Sequence, residues 1–314
     1  MRTNGPVVAS PVVGKATVYV GSRDGIFYAV DSARGEVRWT FHTGARIEGT
    51  AALADDSVLF GSTDKHLYSL EALRGREQWR LLLPGPVRSP CTIAGDLVVV
   101  GDVAGNLTAV EVHTGKMRWR FATEGEILSA PAYAKGRLYF GSWDAHLYAL
   151  DAESGEQIWR TSTGGPIAAS PTIGEHLMWC GSEDGDLYAL DLEDGEMAWI
   201  ADLGGRIRGF PAIVGDMLLL GSGTGKVHAL KQLTGERCWQ TRTGDEVLAS
   251  AAVAGPVAYL GSKDGSLYAF DCQTGEVLWK HSTVYGIYSS PALAEEALFI
   301  GVSYYYVAAF RPLD

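Results

Sequence analysis

The sequence predicts an all-β fold, an eight-bladed β-propeller of four-stranded antiparallel blades. The first observation is a glycine that recurs every 40 residues without insertion or deletion, at Gly21, Gly61, Gly101, Gly141, Gly181, Gly221, Gly261 and Gly301. The second is a tryptophan with the same 40-residue period, at Trp39, Trp79, Trp119, Trp159, Trp199, Trp239 and Trp279. A fixed period of this length indicates a solenoid, a propeller or an array of repeats.

The content of one repeat favours the propeller. Residues 126–163 hold four short segments rich in β-branched and aromatic residues: Ile127–Tyr133, Arg137–Gly141, His146–Asp151 and Gln157–Thr161. Short strands divided by tight turns predict an antiparallel meander, and no helical period interrupts it. Four strands in about 40 residues are typical of a propeller blade. We label the strands of each blade A to D in chain order, and we expect A to be innermost.

The two ends of the chain predict how the ring closes. The eighth repeat ends at Asp314 without a tryptophan segment, and residues 1–5 align with residues 41–45, the tail of a D strand. We therefore expect a single domain over residues 1–314 whose last blade is closed by, or lacks, a short N-terminal strand. The alternative is a chain cut from a longer protein, and we favour closure.

Two repeated small residues have predicted structural roles. Strand C has a small residue in every repeat, such as Ala149, and we predict that it leaves room for the tryptophan of an adjacent blade. The glycine before each tryptophan, such as Gly155, suits a positive-φ position in a hairpin turn. The repeated tryptophans are therefore interpreted as structural residues.

The composition excludes several classes of function. The chain has 26 Lys and Arg residues against 37 Asp and Glu residues, and this net charge of −11 argues against general nucleic-acid binding. No apolar run is long enough to predict a membrane-spanning helix. The 4 cysteines lack the spacing of a disulfide framework, so we expect a reducing compartment and a cytoplasmic protein. His66 and His146 share a register but belong to different blades, so we predict no metal site.

One mouth of the central channel is the predicted ligand-binding site. A propeller places its D–A and B–C loops on one face, and these loops carry the variation between the repeats. Guanidinium groups at such a mouth suit carboxylate or phosphate ligands. The predicted ligand-binding residues are Arg46, Glu48, Arg88, Arg206, Arg208, Asp245 and Tyr288. The alternative is that the arginines pair with the carboxylates beside them, which also include Glu126 and Glu246.

Aromatic residues in the B–C turns form a second predicted site. Most repeats read Gly-Ser-x-Asp-Gly at this turn, and the fourth and eighth repeats depart from it. Exposed aromatic residues on loops often anchor a protein partner. The predicted partner-binding residues are Trp143, His146, Tyr304, Tyr305 and Tyr306. The alternative is that the tyrosines compensate for the thin last blade.

The tryptophan segment resembles a known motif. Ala149–Trp159 is similar to the tryptophan-docking motif of quinoprotein propellers, and Ala29–Trp39, Ala189–Trp199 and Ala269–Trp279 match it as well. Together with the Gly-Ser-x-Asp-Gly turns, these segments make the whole chain resemble the PQQ-like repeat family. The resemblance implies one of three kinds of protein: a quinone-dependent dehydrogenase, an assembly scaffold similar to BamB, or the sensor domain of a bacterial Ser/Thr kinase.

The resemblance does not extend to the quinone site. The dehydrogenases of this family carry a pair of adjacent cysteines near the quinone, and long insertions build their active site. In this chain the repeats have no insertions and no two cysteines are adjacent, because they stand at Cys91, Cys180, Cys238 and Cys272. We therefore expect no cofactor, and no PQQ in particular.

The leading functional hypothesis is a non-catalytic binding module. It would act as a scaffold or sensor that recognises a protein partner or a small anionic ligand at one channel mouth, either as a monomer or as part of a larger chain. The competing hypothesis is an enzyme with its active site in the channel mouth. In that case Arg88 or Arg208 would hold an anion. The residues that would move protons are Glu48, Glu126, Tyr285 and Tyr288.

Overall fold

The regular structure of the chain is β-strand. The computed structural model describes residues 1–294, 297–302 and 306–310. Within these residues the strands form eight antiparallel sheets, and each sheet consists of strands that follow one another in the chain. The first seven sheets have four strands and the eighth has three, so the predicted eight-bladed propeller is confirmed. No helix in this described part of the chain is long and apolar enough to cross a membrane.

Blades 1 to 4 lie within residues 12–162. Blade 1 consists of β1 (Val12–Gly14), β2 (Thr17–Gly21), β3 (Ile26–Asp31) and β4 (Val37–His42). Blade 2 consists of β5 (Ala52–Ala54), β6 (Ser57–Gly61), β7 (His66–Glu71) and β8 (Glu77–Leu82). Blade 3 consists of β9 (Thr92–Ala94), β10 (Leu97–Gly101), β11 (Asn106–Glu111) and β12 (Met117–Ala122). Blade 4 consists of β13 (Ala132–Ala134), β14 (Arg137–Ser142), β15 (His146–Asp151) and β16 (Gln157–Ser162).

Blades 5 to 8 continue the same order through residue 310. Blade 5 consists of β17 (Thr172–Ile173), β18 (Leu177–Gly181), β19 (Asp186–Asp191) and β20 (Met197–Asp202). Blade 6 consists of β21 (Ala212–Val214), β22 (Met217–Gly221), β23 (Lys226–Lys231) and β24 (Arg237–Arg242). Blade 7 consists of β25 (Ala252–Ala254), β26 (Val257–Gly261), β27 (Ser266–Asp271) and β28 (Val277–Ser282). Blade 8 consists of β29 (Ala292–Ala294), β30 (Ala297–Val302) and β31 (Tyr306–Phe310).

The repeated glycine at the end of strand B is the place where neighbouring blades interlock. A Cβ atom added to Gly21 would lie 2.1 Å from Cγ2 of Ile47, a buried side chain of the next blade. The same contact joins the last blade to the first, because a Cβ atom on Gly301 would lie 2.7 Å from Cγ1 of Val7. The A strands of neighbouring blades also contact each other, and these contacts include β1 with β29. The ring is therefore closed around its A strands.

The N-terminal residues complete one corner of the last blade. Arg2 forms an isolated antiparallel bridge with Tyr306. Beside it, the N–H of Val307 donates to the carbonyl of Met1 at 3.1 Å, and the ammonium of Met1 donates to the carbonyl of Val307 at 3.3 Å. The predicted N-terminal contribution to blade 8 is therefore a single bridge at the outer edge of β31.

The predicted partner of the small strand-C residue is wrong. Ala149 stands opposite Trp159 of its own blade, because the two residues pair across β15 and β16. The indole of Trp159 contacts the next blade at Gly195, where an added Cβ atom would lie 2.6 Å from the ring. The Nε1–H of Trp159 also donates to the carbonyl of Leu192 at 3.2 Å. The glycine before each tryptophan has the predicted positive φ, which is 74° at Gly155. Except at Gly35, this glycine also leaves room for the indole of the preceding blade.

The aspartate of the Gly-Ser-x-Asp-Gly turn fixes the loops at one end of the channel. In blade 2, the hydroxyl of Tyr68 donates to Asp64 Oδ2 at 2.7 Å, and the N–H of Gly44 donates to the same oxygen at 2.8 Å. Gly44 lies in the D–A loop that enters blade 2, so the carboxylate joins the B–C turn to that loop. Hydrogen bonds to the carboxylate lower the pKa of Asp64, although burial acts in the opposite direction and is the largest single influence.

Blade 6 replaces this aspartate–tyrosine pair by Thr224 and His228. His228 is buried, and its Nε2 lies 3.1 Å from the hydroxyl of Ser222. Among the described residues, Nδ1 of His228 has no hydrogen-bond partner. Burial is the main cause that lowers the pKa of His228 to about 4, and the charges of Arg237 and Lys226 act in the same direction.

His228 is expected to make the protein sensitive to mild acid. In the unfolded chain the imidazole of His228 takes up a proton near pH 6.5, whereas in the folded chain its pKa is about 4. The free energy of unfolding therefore falls as the pH is lowered from about 6.5 to about 4. Between pH 7 and pH 4.5 the expected loss is about 2 kcal/mol. Urea unfolding at both pH values should show this loss in the native chain and in the exposed-site control His42→Phe, but not in His228→Phe. An equal loss in all three proteins would contradict the assignment.

Candidate functional site

Three register positions meet at one end of the channel. In the seven B–C turns that the structure describes, the x residue donates its N–H to the carbonyl of a residue that precedes strand A of the same blade, as Thr63 does to Arg46 at 2.8 Å and Trp143 does to Glu126 at 2.9 Å. The third position lies two residues after the residue that provides this carbonyl, as Glu48 lies after Arg46. We call this end the channel mouth, and we define it by its charged and aromatic residues: Arg23, Arg46, Glu48, Arg88, Glu126, Trp143, Glu183, Arg206, Arg208, Asp245, Glu246, Lys263 and Tyr288.

One geometric pair recurs around the mouth between residues 25 positions apart. It joins the x residue of one B–C turn to the third position of the next blade. Arg23 Nε lies 2.7 Å from Glu48 Oε1, and the same pair with opposite charges places Arg208 Nε 2.6 Å from Glu183 Oε1. The third example is a cation–π contact, in which Lys263 Nζ lies 5.6 Å from the ring centre of Tyr288. Each of these three pairs joins the B–C turn of one blade to the segment before strand A of the next, and we call this edge of the channel mouth the rim.

The rim of blades 1 to 3 surrounds a cavity of about 690 Å³. We call it the arginine cavity, and its charged lining residues are Arg23, Asp24, Arg46, Glu48 and Arg88. Glu48 is only 10% exposed and is shared, because its Oε2 also lies 2.7 Å from Nε of Arg88. Among the described residues, the guanidinium of Arg46 has no acidic partner.

The other carboxylate of the arginine cavity, that of Asp24, already accepts hydrogen bonds from its surroundings in the fold. Asp24 accepts hydrogen bonds from the N–H of Asn4 at 2.9 Å, the N–H of Ile26 at 2.8 Å and the hydroxyl of Tyr28 at 2.8 Å. It is the counterpart of Asp64 in blade 2, so its oxygens hold the turn. Three guanidinium groups therefore face two engaged carboxylates, and the unpaired positive charge is that of Arg46.

On the opposite rim, in blades 5 to 8, charged residues form ion pairs with one another. Nη2 of Arg206 lies 2.7 Å from Glu246 Oε2, and Lys263 pairs with the same carboxylate. Burial would raise the pKa of Glu246, but the hydrogen bonds from Lys263 and Arg206 outweigh it and lower the pKa. The hydrogen bond to Glu246 in turn raises the pKa of Arg206. Arg206 and Glu246 therefore stabilise each other's charged forms.

The structure separates the predicted ligand-binding residues into groups. Arg46, Glu48 and Arg88 line the arginine cavity. Arg206, Arg208 and Tyr288 belong to the opposite rim and do not line that cavity. Asp245 lines a smaller recess of about 400 Å³ together with Arg242 and Glu246. Pairing with nearby carboxylates, the alternative given above, describes Arg88, Arg206 and Arg208 but not Arg46.

Glu48 is a poor candidate for moving protons. Each of its carboxylate oxygens lies 2.7 Å from an arginine Nε atom, so neither is available to take a proton from a substrate. The carbonyl of Glu126 accepts the N–H of Trp143, and its side chain has no ion pair among the described residues. Tyr285 and Tyr288 are both partly exposed, and Tyr288 lies under Lys263.

The predicted partner-binding aromatics also separate. Trp143 is 39% exposed and belongs to the channel mouth rather than to a second site. His146 is held by its own turn, with Nδ1 2.9 Å from the carbonyl of Asp144. Tyr304 and Tyr305 lie outside the described residues. Tyr306 is half-buried in an apolar cluster that includes Leu267, which favours the alternative role in the last blade.

Sequence reasoning singled out the x residue of the B–C turn only in the fourth repeat, at Trp143, and missed it as a recurring position of the channel mouth. It supplies Arg23, Glu183 and Lys263 to the mouth. A signal was present, because x varies in charge and size while the residues around it repeat. The seven described x residues are Arg23, Thr63, Val103, Trp143, Glu183, Gly223 and Lys263. Among the described residues, no group of three or more His, Cys, Asp or Glu side chains could hold a metal ion.

Comparison with known proteins identifies the family. A family model described as outer membrane protein assembly factor BamB matches residues 2–125 and 114–312. The chain belongs to this BamB-like family of PQQ-like propellers. The resemblance predicted from the tryptophan segments is therefore confirmed. A search of curated protein sequences returns no match.

Solved structures of several kinds share this fold. The chain is similar to BamB from Moraxella catarrhalis, with 20% identity, a TM-score of 0.86, and coverage of 99% of this chain and 98% of that one. The computationally designed Ika8 protein gives 16% identity, a TM-score of 0.87 and coverage of 99% and 98%. A quinohemoprotein alcohol dehydrogenase from Pseudomonas putida HK5 gives 14% identity, a TM-score of 0.82 and coverage of 96% of this chain and 71% of that one. At these identities the likeness shows the fold alone.

Proposed function

We propose that this chain is a non-catalytic binding propeller that holds an acidic segment of a partner protein in the arginine cavity. The observation that carries the proposal is Arg46, whose guanidinium has no acidic partner among the described residues and lines a cavity of about 690 Å³. An unpaired guanidinium in an open cavity is suited to a carboxylate from outside the chain. Membership of the BamB-like family supports a protein-binding scaffold as the general role.

The contacts around Arg46 support recognition rather than catalysis. Glu48 is held between Arg23 and Arg88, which keeps the two guanidinium groups in place beside Arg46. A carboxylate ligand would then meet a fixed cationic wall and would need no rearrangement of the cavity. Trp143 on the same rim offers an exposed aromatic surface to the partner beyond the cavity. The predicted cytoplasmic location remains a prediction.

The proposal predicts charge-dependent binding of an acidic peptide. Calorimetric titration with hexaglutamate should give binding that weakens as salt is added, whereas hexaglutamine should not bind. Arg46→Glu should weaken hexaglutamate binding by at least about tenfold, or about 1.4 kcal/mol, because it reverses the charge of the cavity arginine that has no acidic partner among the described residues. The matched control is Arg76→Glu, an exposed arginine of the C–D hairpin in blade 2, which should leave binding within about twofold.

Two outcomes would count against the proposed function. Equal weakening by Arg46→Glu and Arg76→Glu would show that hexaglutamate responds to net charge rather than to the arginine cavity. Binding of inorganic phosphate as tight as that of hexaglutamate would assign the cavity to a small anionic ligand instead of a protein segment.

A further inference from the structure

The end of the channel opposite the mouth is lined by apolar side chains. Strand A runs from the D–A loop at the mouth to the A–B turn, so its last residues lie at that opposite end. Each blade supplies one apolar residue there, two positions before its A–B turn. We call these residues the apolar ring: Val13, Leu53, Ile93, Tyr133, Ile173, Ile213, Val253 and Leu293. Because the A strands of neighbouring blades contact each other, the ring surrounds the channel.

The packing of the blades does not bury the apolar ring. All eight side chains are at least partly exposed, and the exposed fraction is 43% for Tyr133, 42% for Ile213 and 40% for Leu293. Tyr133 and Leu293 belong to blades 4 and 8, on opposite sides of the eight-bladed ring. Single exposed apolar residues are ordinary on a protein surface, whereas a contiguous apolar patch is typical of a binding site.

Phe210 extends this apolar surface into the channel. It stands between Arg208 of the mouth and Ile213 of the apolar ring, and it is 41% exposed. Its N–H donates to Oγ of Ser250 in the next blade at 2.8 Å, which fixes its backbone at the inner wall. The other repeats have a smaller residue at this position: Ser10, Thr50, Pro90, Ala130, Ser170, Ser250 and Ser290. The phenyl ring is therefore not required by the packing that the repeats share.

The A–B turns around the apolar ring are acidic. The described A–B turns carry the carboxylates of Asp55, Asp56, Asp96, Glu175 and Asp216 against the ammonium groups of Lys15 and Lys135. Asp96 and Asp216 each pair with a basic side chain. The other three carboxylates have no lysine or arginine partner within the described part of the chain. Acidic turns around an apolar ring are complementary to a basic segment that carries an apolar side chain.

We propose that this end of the channel binds a basic segment of a partner protein, which inserts an aromatic side chain through the apolar ring toward Phe210. Lysine or arginine residues that flank the aromatic side chain meet the acidic A–B turns. The aromatic side chain leaves water between Tyr133, Ile213 and Leu293, and its ring packs against that of Phe210. A buried aromatic anchor provides most of the affinity, and the flanking charges provide the orientation.

The charge of the A–B turns disfavours a second copy of the chain as the occupant. Two copies joined at this end would bring their acidic turns together, and like charges across an interface are unfavourable. The proposed site also differs from that of the proposed function. The arginine cavity is lined by residues of B–C turns and D–A loops, such as Arg23 and Arg46, and by no residue of the apolar ring.

Three peptides test the interface directly. The probe is Lys-Lys-Leu-Phe-Leu-Lys-Lys, the first control replaces its three apolar residues with serine, and the second control replaces its lysines with glutamine. In calorimetric titration of the full chain, the probe should bind at least about tenfold more tightly than either control. The serine control measures attraction to the net negative charge of the protein, and the glutamine control measures apolar contact alone.

Two variants of the channel wall should each weaken probe binding by at least about tenfold. Phe210→Ser removes the aromatic contact and introduces the residue that four other repeats have at this position, so the blade should fold as before. Ile213→Lys places a positive charge in the apolar ring. Its matched control is Ile200→Lys, which makes the same change at a 52% exposed isoleucine of the outer strand β20 and should leave binding within about twofold.

A crossed measurement separates this interface from the proposed function. Arg46→Glu should change binding of the lysine-rich probe by less than about twofold, and Ile213→Lys should change hexaglutamate binding by less than about twofold. Loss of hexaglutamate binding in Arg46→Glu with normal binding of the probe would therefore support two independent sites at the two ends of the channel.

Four results would overturn the proposal. The first is binding of the serine control as tight as that of the probe, or no binding of the probe at millimolar concentration. The second is equal weakening by Ile213→Lys and Ile200→Lys. The third is binding of the glutamine control as tight as that of the probe, which would assign the apolar ring to an uncharged ligand. The fourth is self-association of the native chain that Ile213→Lys abolishes, which would assign it to a second copy.

Discussion

Replacing Trp159 with alanine is expected to destabilise the protein by about 3–5 kcal/mol. Trp159 is 7% exposed, donates a hydrogen bond to the carbonyl of Leu192 at 3.2 Å and covers Gly195. Alanine leaves a cavity between blades 4 and 5 and removes a donor from the Leu192 carbonyl. Urea unfolding followed by circular dichroism measures the effect.

Trp143→Ala is the matched control for Trp159→Ala. Trp143 is 39% exposed at the channel mouth and lies outside the repeated tryptophan register. Its replacement should change the free energy of unfolding by no more than about 0.5 kcal/mol. Similar losses in the two variants would contradict the assignment of the repeated tryptophans as the residues that join the blades.

Gly195→Ala is expected to destabilise the protein much more than Gly35→Ala. Both glycines have a positive φ, 73° and 70°, so each substitution carries a backbone cost of about 1–2 kcal/mol. Only at Gly195 does the added Cβ atom meet an indole, at 2.6 Å from Trp159. Displacing a packed side chain adds about 1–3 kcal/mol, and this is the expected difference between the two variants in urea unfolding.

A double variant isolates the contact between Gly195 and Trp159. In the Trp159→Ala background the Cβ atom of Gly195→Ala no longer meets the indole and has only Thr161 Oγ1 close to it, at 2.9 Å, so its cost should fall toward that of Gly35→Ala in the native chain. If Gly195→Ala costs the same in both backgrounds, then its effect comes from the backbone and the indole contact is not the cause.

The number of blades could be predicted from the sequence because the repeat has no insertions. The eight glycines mark eight contacts between blades, and even the contact of Gly301 with Val7 follows the period. The packing partner of Ala149 could not be predicted in the same way. A period of 40 residues places every tryptophan in the same register but does not say whether it faces its own blade or the next one.

The ion pairs between charged side chains of the channel mouth were less predictable than the fold. The variable positions before strand A predicted Arg46, Glu48 and Arg88 at one channel mouth, and these three residues line one cavity. Which arginine remains unpaired depends on side-chain contacts between blades, such as the one from Arg23 to Glu48 across 25 residues. Residues at such separations become neighbours only when the blades are assembled, and the turn motif gave Arg23 no apparent role beyond the turn.

The position of bound hexaglutamate is the most direct test of the proposed function. Amide chemical shifts of the labelled protein can be followed as hexaglutamate is added. The account predicts that the largest changes lie in the arginine cavity, at residues such as Gly44, Thr63 and Val103, and that Arg46→Glu removes them. Changes centred on Gly244 and Asp245 in the smaller recess, or spread evenly over the channel mouth, would contradict it.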